Sequence, residues 1–176
     1  MILKKITYGY DPLLARLDEL YVTSFPAVAR VATERLRQLI GLPGCEMTFY
    51  AIVEREQMRG MATIWELGSA RYLAYLATFA EARNHGLGAA ALAELLAQSP
   101  LPIVGEVEPP ESALQQRRIA FYERNGFHVA MTDPAILNGY HKDNDLYLIA
   151  SQPIADCEAM QRLIIEKVYR VLHEGE

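Results

Sequence analysis

The chain has 176 residues, 51% of them hydrophobic and 22% charged, the balance of one globular domain with a full core and not of a disordered chain. Its net charge is −5, from 17 Lys+Arg against 22 Asp+Glu. That acidic excess argues against a nucleic-acid partner, whose phosphates call for a concentrated positive surface.

Residues 3–8 alternate loosely and are expected to form a first strand. From Pro12 the apolar positions Leu13, Leu14, Leu17, Leu20 and Tyr21 recur at helical spacing, which predicts one helix to about Tyr21. A second helical pattern, Val28, Val31, Leu36, Leu39 and Ile40, ends at Gly41. Residues 48–53 are a strand run, 54–59 a polar hairpin turn, and 60–67 the returning strand. Residues 72–79 are apolar at almost every position, as in a strand buried on both faces. A helix over 86–98 follows, with Gly88, Ala91, Leu92, Leu95 and Leu96 as its apolar stripe. A short strand at 103–108 leads through Pro109-Pro110 to a helix at 112–124, which Gly126-Phe127 ends. Residues 128–131 and 145–149 read as the last strands. After Pro153 a final helix carries the stripe Cys157, Met160, Ile164, Val168 and Val171. This order predicts an α/β (α+β) fold with a mixed sheet: a hairpin meander, then β-α-β units.

The chemistry begins where the strand 72–79 runs through a short turn into Arg83-Asn84-His85-Gly86-Leu87-Gly88-Ala89 and then a helix. A helix start offers unpaired N–H groups and the positive end of the dipole, which suit a phosphate. Gly86 and Gly88 remove side chains where a diphosphate must approach the backbone. No Gly-Lys-Ser/Thr follows, so this is not a P-loop, and the three-glycine dinucleotide fingerprint is missing as well. Taken alone, the loop is equally a strand-to-helix turn with small residues for packing.

One strand later, the helix at 112–124 closes with Ile119-Ala120-Phe121-Tyr122-Glu123-Arg124-Asn125-Gly126-Phe127. Glycine loop and helix end together resemble the GNAT superfamily of acyl-CoA N-acyltransferases, over the plan from residue 48 to 149 and with the two N-terminal helices fitting. The resemblance implies a mostly antiparallel sheet with a splayed pair of parallel strands, flanked by helices. It implies a GNAT-like domain at 1–152, with residues 153–176 as a helical appendage on that domain or on a twofold partner, so a homodimer stays open. It implies acetyl-CoA as acyl donor and no metal. The backbone at Leu76, Ala77 and Thr78 would hold the pantetheine arm. Arg83, Asn84, His85, Gly86, Leu87, Gly88 and Ala89 would hold the pyrophosphate. Tyr122 matches the tyrosine that protonates the departing thiolate. Thr78 stands where the family usually has Val, and Gln115 where an Asn often bonds the pantetheine region. Arg118, like Arg117, could reach a CoA phosphate or pair with Glu111 or Glu123.

Acyl transfer to an amine, whose pKa lies near ~10, needs a proton acceptor. Glu106 and Glu108 are spaced by two on one strand and should share a face. Either is a candidate base, or a partner of Arg117 or Arg118. His128, His141 and His173 have no partner at catalytic or metal-ligand spacing, and no Gly-x-Ser-x-Gly elbow is present. Tyr21, Phe25, Tyr50, Trp65 and Tyr75 line either the acceptor side or the core. No window approaches the ~20 apolar residues of a membrane span. Residues 1–6 lack a signal peptide's apolar region. Cys45 and Cys157 lie far apart, as free thiols in a reducing compartment would. The expectation is a cytoplasmic N-acetyltransferase acting on a small-molecule or peptide amine, with no nucleic-acid or membrane partner. The alternative is a CoA-binding sensor or scaffold without turnover.

Overall fold

The computed structural model of the protein describes residues 1–132 and 146–174; His141 and Asp145 lie outside them. Its strands are β1 (Ile2–Ile6), β2 (Met47–Glu54), β3 (Gln57–Glu66), β4 (Arg71–Thr78), β5 (Ile103–Val107), β6 (His128–Met131) and β7 (Tyr147–Ala150). They form one mixed sheet in the order β1-β2-β3-β4-β5-β7-β6. The pairs β1–β2, β2–β3, β5–β7 and β6–β7 are antiparallel, and β4–β5 is parallel. Helices α1 (Leu17–Ser24), α2 (Thr33–Leu39), α3 (Leu87–Ala97) and α4 (Ala113–Arg124) flank it, and a C-terminal helix follows. The expected mixed sheet with a parallel pair is therefore present.

The chain divides into two compact units, Met1–Glu66 with Leu73–Ser99, and Leu67–Tyr72 with Pro100–Glu176. Strand β4 thus begins in the second unit and continues in the first.

In the first unit, Asp11 accepts a hydrogen bond from the Leu13 N–H at 2.9 Å and starts a 3-10 turn, Pro12–Arg16, before α1. The single helix expected from Pro12 is therefore two pieces. The second expected helix is shorter still. Arg30 is extended and its Nε donates to the Phe25 carbonyl at 3.0 Å, so only Thr33–Leu39 is α-helical and Val28 is exposed. The core of this unit takes Leu14, Leu17 and Leu20 from the N-terminal helices, Phe49, Met61 and Trp65 from the strands, and Leu92 and Leu95 from α3. Each fully buried leucine of this kind contributes about 1.5–3 kcal/mol.

The β2–β3 turn is only Arg55-Glu56, both with positive φ (51° and 62°), and Glu54 pairs with Gln57. The expected six-residue turn is a two-residue one. Strand β4 is buried over Arg71–Leu73 and at Tyr75, but Leu76, Ala77 and Thr78 are half-exposed. The expectation of a strand covered on both faces fails for that end.

In the second unit, the buried strand residues include Ile103, Val104 and Val107 of β5 and Leu148, Ile149 and Ala150 of β7. The C-terminal helix is not uniform: α5 (Cys157–Ile164) passes into a π-helical turn, Ile165–Tyr169, and then α6 (Arg170–Leu172). A π turn holds more residues than an α turn, so the buried stripe runs Met160, Ile164, Val168, Tyr169 and Leu172. Leu172, and not the expected Val171, is the buried residue at its end. This stripe is covered within a single chain.

Candidate active site

In the first unit, the half-exposed end of β4 leads through a 3-10 turn, Ala80–Ala82, to the glycine loop. Tyr75, in mid-strand, donates its N–H to the buried Thr63 hydroxyl at 3.2 Å. Gly60 of β3 lies against the Ala77 carbonyl, where a Cβ would stand 2.4 Å from that oxygen, so only glycine permits the approach. The turn is pinned from outside: Arg16 meets Glu81 at 2.7 Å and lays its guanidinium 4.1 Å from the centre of the Phe79 ring.

Asn84 and Gly86 both adopt left-handed backbone, with φ of 63° and 74°. Arg83, Asn84, His85 and Gly86 are exposed, Gly88 and Ala89 half-buried, and Leu87 is buried as the anchor of α3. Gly86 N-caps the helix without any side-chain cap, as Arg16 does α1 and Ala32 does α2, whereas Ser112 caps α4 and Asp156 caps α5. The first-turn N–H groups of α3 therefore have no capping side chain, and Arg83 stands three residues before the cap in sequence. Open space surrounds the position a Gly86 Cβ would take.

In the second unit, β4 and β5 pair only at Arg71↔Ile103 and Tyr72↔Val104. Farther along β5, the Glu106 Oε1 accepts hydrogen bonds from the Tyr72 hydroxyl at 2.9 Å and from the Tyr169 hydroxyl. Its Oε2 is closed off from solvent and accepts no hydrogen bond among the described residues. Burial raises the Glu106 carboxyl above the ordinary carboxylate range, and the two hydroxyls act against that rise. Burial and the neighbouring carboxylate hold the Tyr169 phenol well above its ordinary value.

Glu108, one residue past the strand, accepts from Gln115 Nε2 at 3.2 Å and faces Arg118 at 3.5 Å. Gln115 also closes the capping box of α4, its Oε1 accepting from the Ser112 N–H at 2.8 Å. Tyr122, on the last turn of α4, packs its ring against Phe121 and Phe127. Burial pushes its hydroxyl up to about 12, with Arg118 pulling the other way.

The structure thus gathers Arg83 through Ala89 at one helix start, and Glu108, Gln115 and Arg118 in one hydrogen-bonded group. Glu106 keeps separate company with two tyrosines. Sequence reasoning passed over Arg16, Thr63, Tyr72 and Tyr169. Tyr169 had no signal to give, because a regular helix through Ile164 and Val168 turns it off the buried stripe. Tyr21, Phe25 and Tyr75 form an aromatic cluster with ring centres 4.8 to 5.7 Å apart. Among the described residues no group of His, Cys, Asp or Glu could hold a metal ion, and no helix is long and apolar enough to cross a membrane.

The model of the acetyltransferase (GNAT) family matches residues 14–127. No curated protein sequence matches. Among solved structures, a GNAT-family protein from Bacteroides thetaiotaomicron has a TM-score of 0.75 and 26% identity, covering 100% of both chains. The aminoglycoside 6′-N-acetyltransferase from Enterococcus faecium has a TM-score of 0.61 and 17% identity over 89% of this chain and 100% of its own. Arabidopsis thaliana Naa50, in complex with the bisubstrate analogue CoA-Ac-MVNAL, has a TM-score of 0.59 and 18% identity over 86% of this chain and 97% of its own.

Proposed function

The chain belongs to the GNAT family of acetyltransferases, and from that premise we propose that it transfers acetyl from acetyl-CoA to a primary amine by direct attack. The observation that carries this reading is the start of α3, without a side-chain cap and entered through left-handed Asn84 and Gly86, inside the matched segment. Its free N–H groups and Arg83 suit a diphosphate, so residues 83–89 bind the pyrophosphate of the cofactor. The half-exposed backbone of Leu76, Ala77 and Thr78 offers edge groups to an amide-bearing pantetheine arm. Arg118 and Gln115 are the further contacts on α4.

In the reaction the acceptor ammonium first gives a proton to a carboxylate, since only the neutral amine is a nucleophile. Nitrogen then bonds the thioester carbon and the C–S bond breaks. Tyr122 protonates the leaving thiolate and is restored by the second proton that the nitrogen sheds. Of the two glutamates, Glu106 is the better base: burial raises its carboxyl toward the amine's range and no cation among the described residues faces it, whereas Glu108 is paired with Arg118. The acceptor is a small-molecule or peptide amine, the two kinds met in the aminoglycoside enzyme and in Naa50 with its peptide-bearing analogue. Two free cysteines fit work in the cytoplasm.

The test is thiol release from acetyl-CoA with a panel of polyamines, aminoglycosides, amino acids and peptide N-termini. Turnover with one amine class supports the reading. Stabilisation by CoA without thiol release on any amine would replace it with a CoA sensor.

A further inference from the structure

We propose that the C-terminal helix belongs to the proton-accepting machinery: Tyr169, delivered by the π turn, and Tyr72 of β4 clamp Oε1 of Glu106 and leave Oε2 alone to take the acceptor's proton. This inference rests on Glu106 as the general base. The appendage lies beyond residues 14–127, so the family's common core does not supply this tyrosine.

Three features of the second unit carry it. First, the carboxylate is asymmetric. Two hydroxyls converge on Oε1, while Oε2 is shielded from solvent and accepts no hydrogen bond among the described residues. An acceptor oxygen shut away from solvent without a partner costs its desolvation, so Oε2 is held free at a cost to the fold. An oxygen kept free beside a fixed one is what a proton acceptor needs. Second, the π turn has a consequence at one residue. It brings both Val168 and Tyr169 to the buried side and so places the Tyr169 hydroxyl on Glu106. Third, Tyr169 stays protonated. The titratable groups acting on Glu106 among the described residues are Tyr72 from β4 and Tyr169 from the π turn. Burial and the adjacent carboxylate hold the Tyr169 phenol above its ordinary value, so it donates and does not ionise at working pH.

The proton balance is simple. The acceptor R–NH3+ passes one proton to Oε2, giving R–NH2 and a neutral Glu106. After the amide forms and CoA leaves as the thiol, Glu106 releases its proton, the one proton the overall reaction produces. The hydroxyls favour the ionised carboxylate and burial favours the neutral acid, so the clamp sets where between these the group titrates.

The test is the pH profile of kcat, at saturating acetyl-CoA and amine, for wild type, Tyr169→Phe, Tyr72→Phe and Glu106→Gln. Losing one donor to a carboxylate raises its pKa, so the acid limb should move upward by about one pH unit in each phenylalanine variant. Glu106→Gln should abolish the limb and cut kcat about 100-fold or more. If the phenylalanine variants lose thermal stability with the limb unmoved, the tyrosines are structural and the proposal falls, while Glu106 remains the base. If Glu106→Gln keeps full kcat, the base reading itself falls. Should Tyr169→Phe fail to fold, Tyr72→Phe makes the same measurement from the other side of the carboxylate.

Discussion

Tyr122 sits between Phe121 and Phe127, with ring centres 5.2 and 5.5 Å away, and burial pushes its hydroxyl up to about 12. A phenol so placed stays protonated across the whole working range. A thiolate, of pKa ~8.5, is a weaker base than this phenolate, so in the proposed acid role the proton Tyr122 gives up must be replaced at once by the one the nitrogen sheds. Tyr122→Phe should therefore lower kcat by about 10²–10⁴-fold, with the KM for acetyl-CoA nearly unchanged and the melting temperature preserved, since the ring contacts remain. A steady-state comparison at pH 7.5 checks this, and full kcat in the variant would remove Tyr122 from the acid role. At this scale the sequence shows which residue types stand at which motif positions. It does not show their company. Glu106 and Glu108 look alike as two acids at a spacing of two, yet one is held by two tyrosines and the other by Gln115 and Arg118.

Elements were readable wherever local chemistry dictates them. Ser112 and Gln115 form a reciprocal capping box, which starts α4 one residue from its expected beginning. The glycines at positions 86 and 126 mark helix boundaries by their positive φ. Readings failed where a tertiary contact decides. The π turn of the C-terminal helix has no sequence signature, and the turn after β2 lacks the Asn-Gly signal that announces a tight hairpin. There Arg55 and Glu56 are forced into left-handed backbone by the β2–β3 register. Each costs on the order of 1 kcal/mol relative to a residue that tolerates that region. Replacing Arg55-Glu56 by Asn-Gly should stabilise the protein by about 1 kcal/mol and raise its melting temperature by about 2–4 °C. Calorimetry checks it, and an unchanged or lower melting temperature would mean that the two side chains repay their strain elsewhere.

At the scale of the whole molecule, a mixed sheet follows from the order of hydrophobic runs, while the pH response of stability does not, because it depends on which carboxylates the fold buries. Asp18 is held below its ordinary value by its hydrogen bond to Arg37, and Glu19 and Glu81 are held low by theirs to Arg16. A depressed folded pKa contributes stability above the unfolded pKa that is lost on acidification, though exposed pairs of this kind contribute little. Glu106 has the opposite sign. Its folded pKa is raised, so as pH climbs past the ordinary carboxylate range the unfolded chain releases this proton first, and the native state loses stability until its own pKa is passed. Glutamine keeps the shape and an acceptor for both tyrosine hydroxyls without the ionisation. Glu106→Gln should therefore melt close to wild type at pH 4, where both forms of the carboxyl are largely neutral, and about 2–4 °C above it at pH 8, for roughly 1 kcal/mol recovered. Melting curves of the two proteins at several pH values between 4 and 8 measure the difference. A gap that shrinks as pH rises would show that the carboxylate is stabilised by its setting, and that the free Oε2 is not held at a cost to the fold.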